Sequence, residues 1–229
     1  MLLKKMYLKL LAAGRILIPI SIYIDSSVVN VEGHQEGAKK GYNPRKVGNR
    51  CYNIQFAFCD ELKAYVTGFM RSGNTYTANG AAEMIKEIIA NIKTDDLDIL
   101  FRMDSGYFDE NIIQTIVSFN CKYLIKAKAY STLTTEVVNS QIPFTYGEEG
   151  RETMELFTKL NTWHKKRRFV VSRVLKPEND RVQLSFLPGA EYQYFSFVTN
   201  TDLRSERVVI TYEKRGNAEN YIKEAKYDM

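Results

Sequence analysis

Three acids, Asp25, Asp104 and Glu219, and a helical stripe around the last of them are the residues of this sequence best placed to do chemistry. Tyr212, Arg215, Glu219 and Lys226 stand at offsets 0, 3, 7 and 14 along the closing segment. At about 100° per residue these offsets fall within about 60° of one another, so an α-helix projects all four from one face. A tyrosine, two bases and an acid on one stripe are unlike a core-facing surface. The same spacing also suits a solvated face with an Arg215–Glu219 ion pair, worth a few tenths of a kcal/mol. Asp25 and Asp104 each close an apolar, β-branched run, where an open α/β sheet places its ligand crevice. Each position equally suits an aspartate capping a turn or the next helix. Asp104 is followed by Ser105-Gly106, and that glycine admits close backbone approach to a ligand. Three carboxylates converging on one crevice repel one another unless cations offset their charge. Hard divalent cations choose carboxylate oxygens, and Mg²⁺ keeps several waters, so three acids suffice, with Mn²⁺ as a substitute. A pair of such ions performs phosphoryl transfer, one activating the attacking water or 3′-hydroxyl and the other stabilising the leaving oxygen.

The elements that must position these groups follow from periodicity. The run Ile16–Ile24 reads as a strand ending at Asp25, and residues 32–50, rich in Gly, Lys and Asn, read as a loop. Tyr52–Cys59 and Ala64–Met70 form a hairpin across Asp60–Lys63. Ala78–Ile92 carries apolar residues at helical spacing. Asp98–Phe101 is a short strand that delivers Asp104, Asp109–Phe119 a helix and Lys122–Lys126 a strand. Three adjacent strands followed by strand–helix alternation describe a mixed α/β sheet. Residues 131–199 are expected to be a β-rich insertion, with strands at Arg168–Leu175, Arg181–Leu187 and Tyr192–Thr199. The closing helix starts with Ser205 as N-cap.

Composition narrows the class. With 45% hydrophobic and 26% charged residues the chain has too much apolar surface to remain disordered. Three cysteines without close pairing and two histidines offer neither a disulfide framework nor a His-rich metal site, so a reducing, cytoplasmic setting is the default. The apolar stretch from Leu10 to Ile24 is broken by Arg15 and Pro19, too short to span a bilayer, and is expected to be a short lead-in helix feeding the first strand, with no membrane role. The net charge of +5 favours an anionic partner. Lys39, Lys40, Arg45, Lys46 and Arg50 are five bases with no acid among them, interleaved with Tyr42 and Tyr52. Such a cluster neutralises phosphates, and the aromatics can stack on unpaired bases. A solvated loop has the same composition.

The sequence resembles the DDE insertion-sequence transposases that carry a Tyr-x2-Arg-x3-Glu-x6-Lys signature. Tyr212, Arg215, Glu219 and Lys226 meet it at all four positions, and the segments Ile24–Val28, Gln35–Pro44, Phe101–Phe108 and Tyr123–Lys128 are similar to the same family. The resemblance implies an RNase H-like mixed sheet with flanking helices, interrupted by a β-rich insertion. The core would span residues 22–130 and 200–229, the insertion residues 131–199 and the lead-in residues 1–21. It implies Asp25, Asp104 and Glu219 as catalytic metal ligands, and Tyr212, Arg215 and Lys226, with Lys223, as DNA contacts. The activity implied is Mg²⁺-dependent nicking and strand transfer on double-stranded DNA, both transposon ends and target, by a homodimer. A DNA-binding remnant without catalysis and an RNase H-like nuclease without strand transfer are the alternatives. Against the family's usual extent the chain is expected to be shortened at both ends.

Overall fold

The computed structural model describes residues 5, 9, 19–43, 46–92, 97–147, 151–176 and 191–216. They divide into two compact units, one running to Lys122 and taking in Arg215 and Gly216, the other spanning Tyr123–Lys214. Most of the expected lead-in helix and the whole Arg181–Leu187 strand lie outside the described residues, as do Arg45, Glu219, Lys223 and Lys226.

The first unit is built on strands β1 (Ile20–Asn30), β2 (Lys39–Lys40), β3 (Arg50–Cys59), β4 (Ala64–Ser72) and β5 (Ile99–Met103). β1 lies antiparallel to β3 on one side and parallel to β5 on the other, which makes the sheet mixed. β2 and β4 share the far side of β3. Helices α1 (Ala81–Ile92) and α2 (Glu110–Ser118) cover it. The apolar positions of α1 recur every three or four residues, and Met84, Ile85, Ile88, Ile89 and Ile92 are all buried. The start of α2 is fixed by Asp109, whose carboxylate accepts the amides of Asn111 at 2.9 Å and Ile112 at 3.3 Å.

Two sequence expectations change here. β1 does not end at Asp25 but runs to Asn30. Its first five residues are buried and pair with β5, and Ile22–Ile24 pair with β3 as well, whereas beyond Ile24 the strand keeps only β3 as a neighbour. The segment 32–50 is not wholly loop, because Lys39 and Lys40 pair with Arg50 and Cys51. This pairing depends on glycine. A methyl group at Gly73 would lie 2.4 Å from the Cys51 carbonyl and 2.5 Å from that of Lys39, and one at Gly41 would lie 1.8 Å from the Gly73 carbonyl.

The second unit is antiparallel: β6 (Lys122–Lys126), β10 (Tyr192–Thr199), β9 (Arg167–Leu175), β8 (Glu152–Thr158) and β7 (Thr145–Tyr146) follow one another in space. It also contains α3 (Ser131–Asn139), so residues 131–199 are not purely β, and α4 (Ser205–Glu213) follows them. α3 has no side-chain N-cap bond and weak local signals; it is held by Val137 packing against Met154 and Val171. Tertiary burial overrides propensity there. The N-cap of α4 is Arg204 rather than Ser205, whose hydroxyl donates instead to Glu155 at 2.5 Å. Arg168 reinforces that corner, donating to the carbonyls of Thr201 at 2.7 Å and Leu203 at 2.8 Å while paired with Glu155.

The glycine contact gives a direct test. Gly73→Ala must displace two backbone carbonyls, so it is expected to destabilise the protein by about 1–3 kcal/mol. Denaturant unfolding of the variant measures this, and an unshifted midpoint would contradict the packing described.

Candidate active site

The last parallel pair between β1 and β5 is Ile24 with Met103. The next residue on each strand is an aspartate, so the register itself sets Asp25 and Asp104 side by side at the carboxyl end of the parallel pair. That is where open α/β sheets hold ligands. Because β1 continues past the end of β5, its outer half borders a cavity of about 370 Å³ instead of another strand. Asp25, Ser26, Ser27, Val28 and Asn30 line it from β1, with Tyr42, Asn43, Asn53, Thr77 and Asp104 from neighbouring segments.

Each carboxylate is anchored through one oxygen. Asp25 Oδ1 accepts the Ser26 amide at 2.8 Å, and Asp104 Oδ1 accepts the Gly106 amide at 2.8 Å. The second contact caps the short 3₁₀ turn Ser105–Tyr107, so Asp104 fills the capping role and still has an oxygen to offer. That oxygen, Oδ2, lies 3.9 Å from Arg215 Nη2, which also donates to Asp25 Oδ2 at 2.6 Å. One guanidinium thus serves both acids. Burial raises the Asp25 pKa above the ordinary carboxylate value; Arg215 opposes this, and the neighbouring Asp104 charge adds to it.

The surroundings are tied together by hydrogen bonds. Arg71 reaches across the loop after β4, donating to the Thr77 carbonyl at 3.1 Å and the Tyr76 carbonyl at 3.4 Å, and also to the Asn79 carbonyl. Its other nitrogens donate to Asn53, reaching Oδ1 at 2.7 Å. Gly106 is needed for a different reason than ligand approach. A methyl group there would sit 2.7 Å from Thr77 Cγ2 and 2.9 Å from Asp104 Oδ1, so the glycine lets the turn close on its own cap. Tyr107 is fully buried and accepts a hydrogen bond from Gln55 at 3.2 Å.

Of the residues expected from sequence, the structure therefore brings together Asp25, Asp104 and Arg215. Tyr212 belongs to the second unit, where its ring is buried with its centroid 4.8 Å from that of Phe197. α4 ends at Glu213, and Arg215 follows in a turn. Lys39 and Lys40 are exposed on β2, Arg50 is half-buried at the start of β3, and Lys46 lies 3.8 Å from Glu32. Lys39, Lys40 and Arg50 line a second cavity of about 440 Å³. Sequence reasoning missed Asn30, Asn43, Asn53, Thr77 and Arg71. Their signal lies in register and loop closure rather than local spacing, except that Asn43 stands inside the Gln35–Pro44 segment.

A family described as Transposase DDE domain group 1 matches residues 12–229. The chain belongs to that family. No curated protein matches this DDE-family chain. Among solved structures it is similar to the piggyBac transposase in a cryo-EM synaptic complex with hairpin DNA, with a TM-score of 0.52 and 13% identity. The match covers 84% of this chain and 37% of the other, so the DDE-family chain spans well under half of that transposase's length. At that identity the likeness shows the fold, an α/β architecture of the RNase H-like kind.

The Asp25 environment makes a testable statement about stability. A raised carboxyl pKa means the folded state holds the proton more tightly than the unfolded chain, so stability falls as pH rises from the ordinary carboxylate value through the folded one. Asp25→Asn, which removes the charge, is expected to raise the thermal midpoint at neutral pH in chelator-containing buffer. The gain should shrink as pH falls toward the carboxylate range; a variant less stable than wild type at neutral pH would contradict the account.

Proposed function

We propose that this protein is the catalytic domain of a DNA transposase, using Asp25 and Asp104, with Glu219 as third acid, to hold divalent cations that cut and join DNA strands. The observation that carries this reading is the adjacency of Asp25 and Asp104 at the end of the β1–β5 pair, with their Oδ2 oxygens facing one shared cation, the Arg215 guanidinium. A carboxylate pair that already gathers positive charge, one member with its pKa raised by burial and by the other, is the donor set hard cations choose. Among the described residues no cluster of three metal-ligating side chains occurs; Glu219 lies outside them. Mg²⁺ requires few protein ligands, keeping water for the rest.

When bound, such ions supply an activated water or 3′-hydroxyl and stabilise the departing oxygen of the phosphodiester. The protein's own residues do the positioning. The amides of Ser26 and Gly106 fix the two carboxylates, and Arg71 and Asn53 hold the wall carrying Thr77. In this reading Arg215 is a counter-charge that stays in the site and meets the phosphate. Lys39, Lys40, Lys46 and Arg50, with Arg45, neutralise the flanking backbone, and Tyr212, Lys223 and Lys226 remain proposed DNA contacts. The piggyBac transposase, whose fold this chain shares, forms its synaptic complex with hairpin DNA, which supports DNA as the substrate class.

The test is nicking of a supercoiled plasmid carrying the DNA that flanks the gene. Wild type should nick it in Mg²⁺ or Mn²⁺, and Asp25→Ala and Asp104→Ala should each reduce the rate by more than about 100-fold, beyond the usual cost of losing a supporting residue around a metal. Joined product on an added target duplex distinguishes transposition from simple nuclease action. Salt-sensitive binding without cleavage in any cation would instead identify a DNA-binding remnant, and nicking that survives Asp104→Ala would overturn the mechanism.

A further inference from the structure

Tyr42 is 82% exposed, yet it lines the same cavity as Asp25 and Asp104. Its ring makes no hydrogen-bond, ionic or ring contact among the described residues, so the fold makes no visible use of it. Its backbone, by contrast, is held on both sides. Gly41 crosses so close to Gly73 that no side chain fits between them. Asn43 is 5% exposed, donates its amide to Asn30 Oδ1 and accepts the Lys46 amide at 3.0 Å. An unused aromatic ring on a fixed backbone is preorganised for a flat partner, because little conformational freedom remains to be lost on binding.

We propose that Tyr42 is the stacking platform for one nucleobase next to the phosphate served by Asp25 and Asp104, an inference that rests on reading this site as DNA-processing. The cavity of about 370 Å³ is at the small end for a ligand pocket and suits a single unstacked base better than a base pair. Asn30 lies on the same wall. With its oxygen engaged by Asn43, its amide N–H groups have no partner among the described residues and are available to an acceptor on the base edge. Stacking on an aromatic face tolerates any base, so Tyr42 would supply affinity and Asn30 discrimination. The base must leave its stack to reach the ring, which favours a frayed or single-stranded end over continuous duplex.

The experiment uses the full chain with Ca²⁺ and a duplex bearing a single-stranded 5′ overhang that carries 5-iodouracil, which photo-crosslinks to a stacked aromatic ring. Wild type is expected to crosslink through Tyr42, identified by peptide mass. Tyr42→Phe should retain both binding and the crosslink at that position. Tyr42→Ala should lose the crosslink and bind about 5- to 150-fold more weakly, with the salt dependence of binding unchanged because no phosphate contact is removed. Tyr42→Ala binding within about twofold of wild type, or a crosslink that persists at another residue, would overturn the stacking role while leaving the acid site intact. A wild type that binds neither the overhang nor a blunt duplex would overturn the DNA reading itself, and the stacking proposal with it.

Discussion

Two like charges forced into neighbouring positions are the constraint on which this structure turns. The parallel register of β1 with β5 ends at Ile24 and Met103, which leaves Asp25 and Asp104 no choice but adjacency. Carboxylates so placed repel, and burial of Asp25 adds a desolvation cost, so the site is unfavourable until positive charge is supplied. Arg215 supplies some, contacting Asp25 directly and lying near Asp104. A fold that maintains such a pair gives up stability to do so, a relation common at functional sites.

Much of the first unit serves to hold that arrangement open. β1 outruns β5, and the uncovered half of the strand becomes one wall of the cavity. Opposite it, Arg71 ties the loop after β4 to Asn53, and Gly106 lets the turn after Asp104 close against Thr77. At the outer edge the Gly41–Gly73 crossing fixes the basic segment against the sheet, so Lys39 and Lys40 are presented from a paired strand. Fixed dipoles and charges around a reacting phosphate need little rearrangement during reaction, which is the main electrostatic advantage of a built site.

Much of this is legible in the sequence, and the failures have physical reasons. Strand–helix alternation points to the mixed sheet, and the strands Lys122–Lys126 and Tyr192–Thr199 fall where β-branched and aromatic runs place them. The end of β1 is hidden because Asp25 interrupts the apolar run, whereas pairing with β3 continues to Asn30 regardless of polarity. α3 escapes a sequence reading because its Thr-rich segment carries little helical preference and its stability comes from contacts remote in the chain. Asp25, Asp104 and Arg215 can be named because residue type and spacing mark them. Arg71, Asn53 and Asn30 cannot, since their roles depend on which strand lies beside which.

Direct coordination of a cation by the aspartate pair is the central claim, and metal rescue of Asp104→Cys tests it most directly. A thiolate in place of the carboxylate disfavours Mg²⁺ and favours softer ions. The native cysteines, Cys51, Cys59 and Cys121, are buried and should not interfere. The account predicts that the variant is inactive in Mg²⁺ and regains plasmid nicking in Mn²⁺ or Cd²⁺. A folded variant that stays inactive in every cation, or one fully active in Mg²⁺, would contradict it.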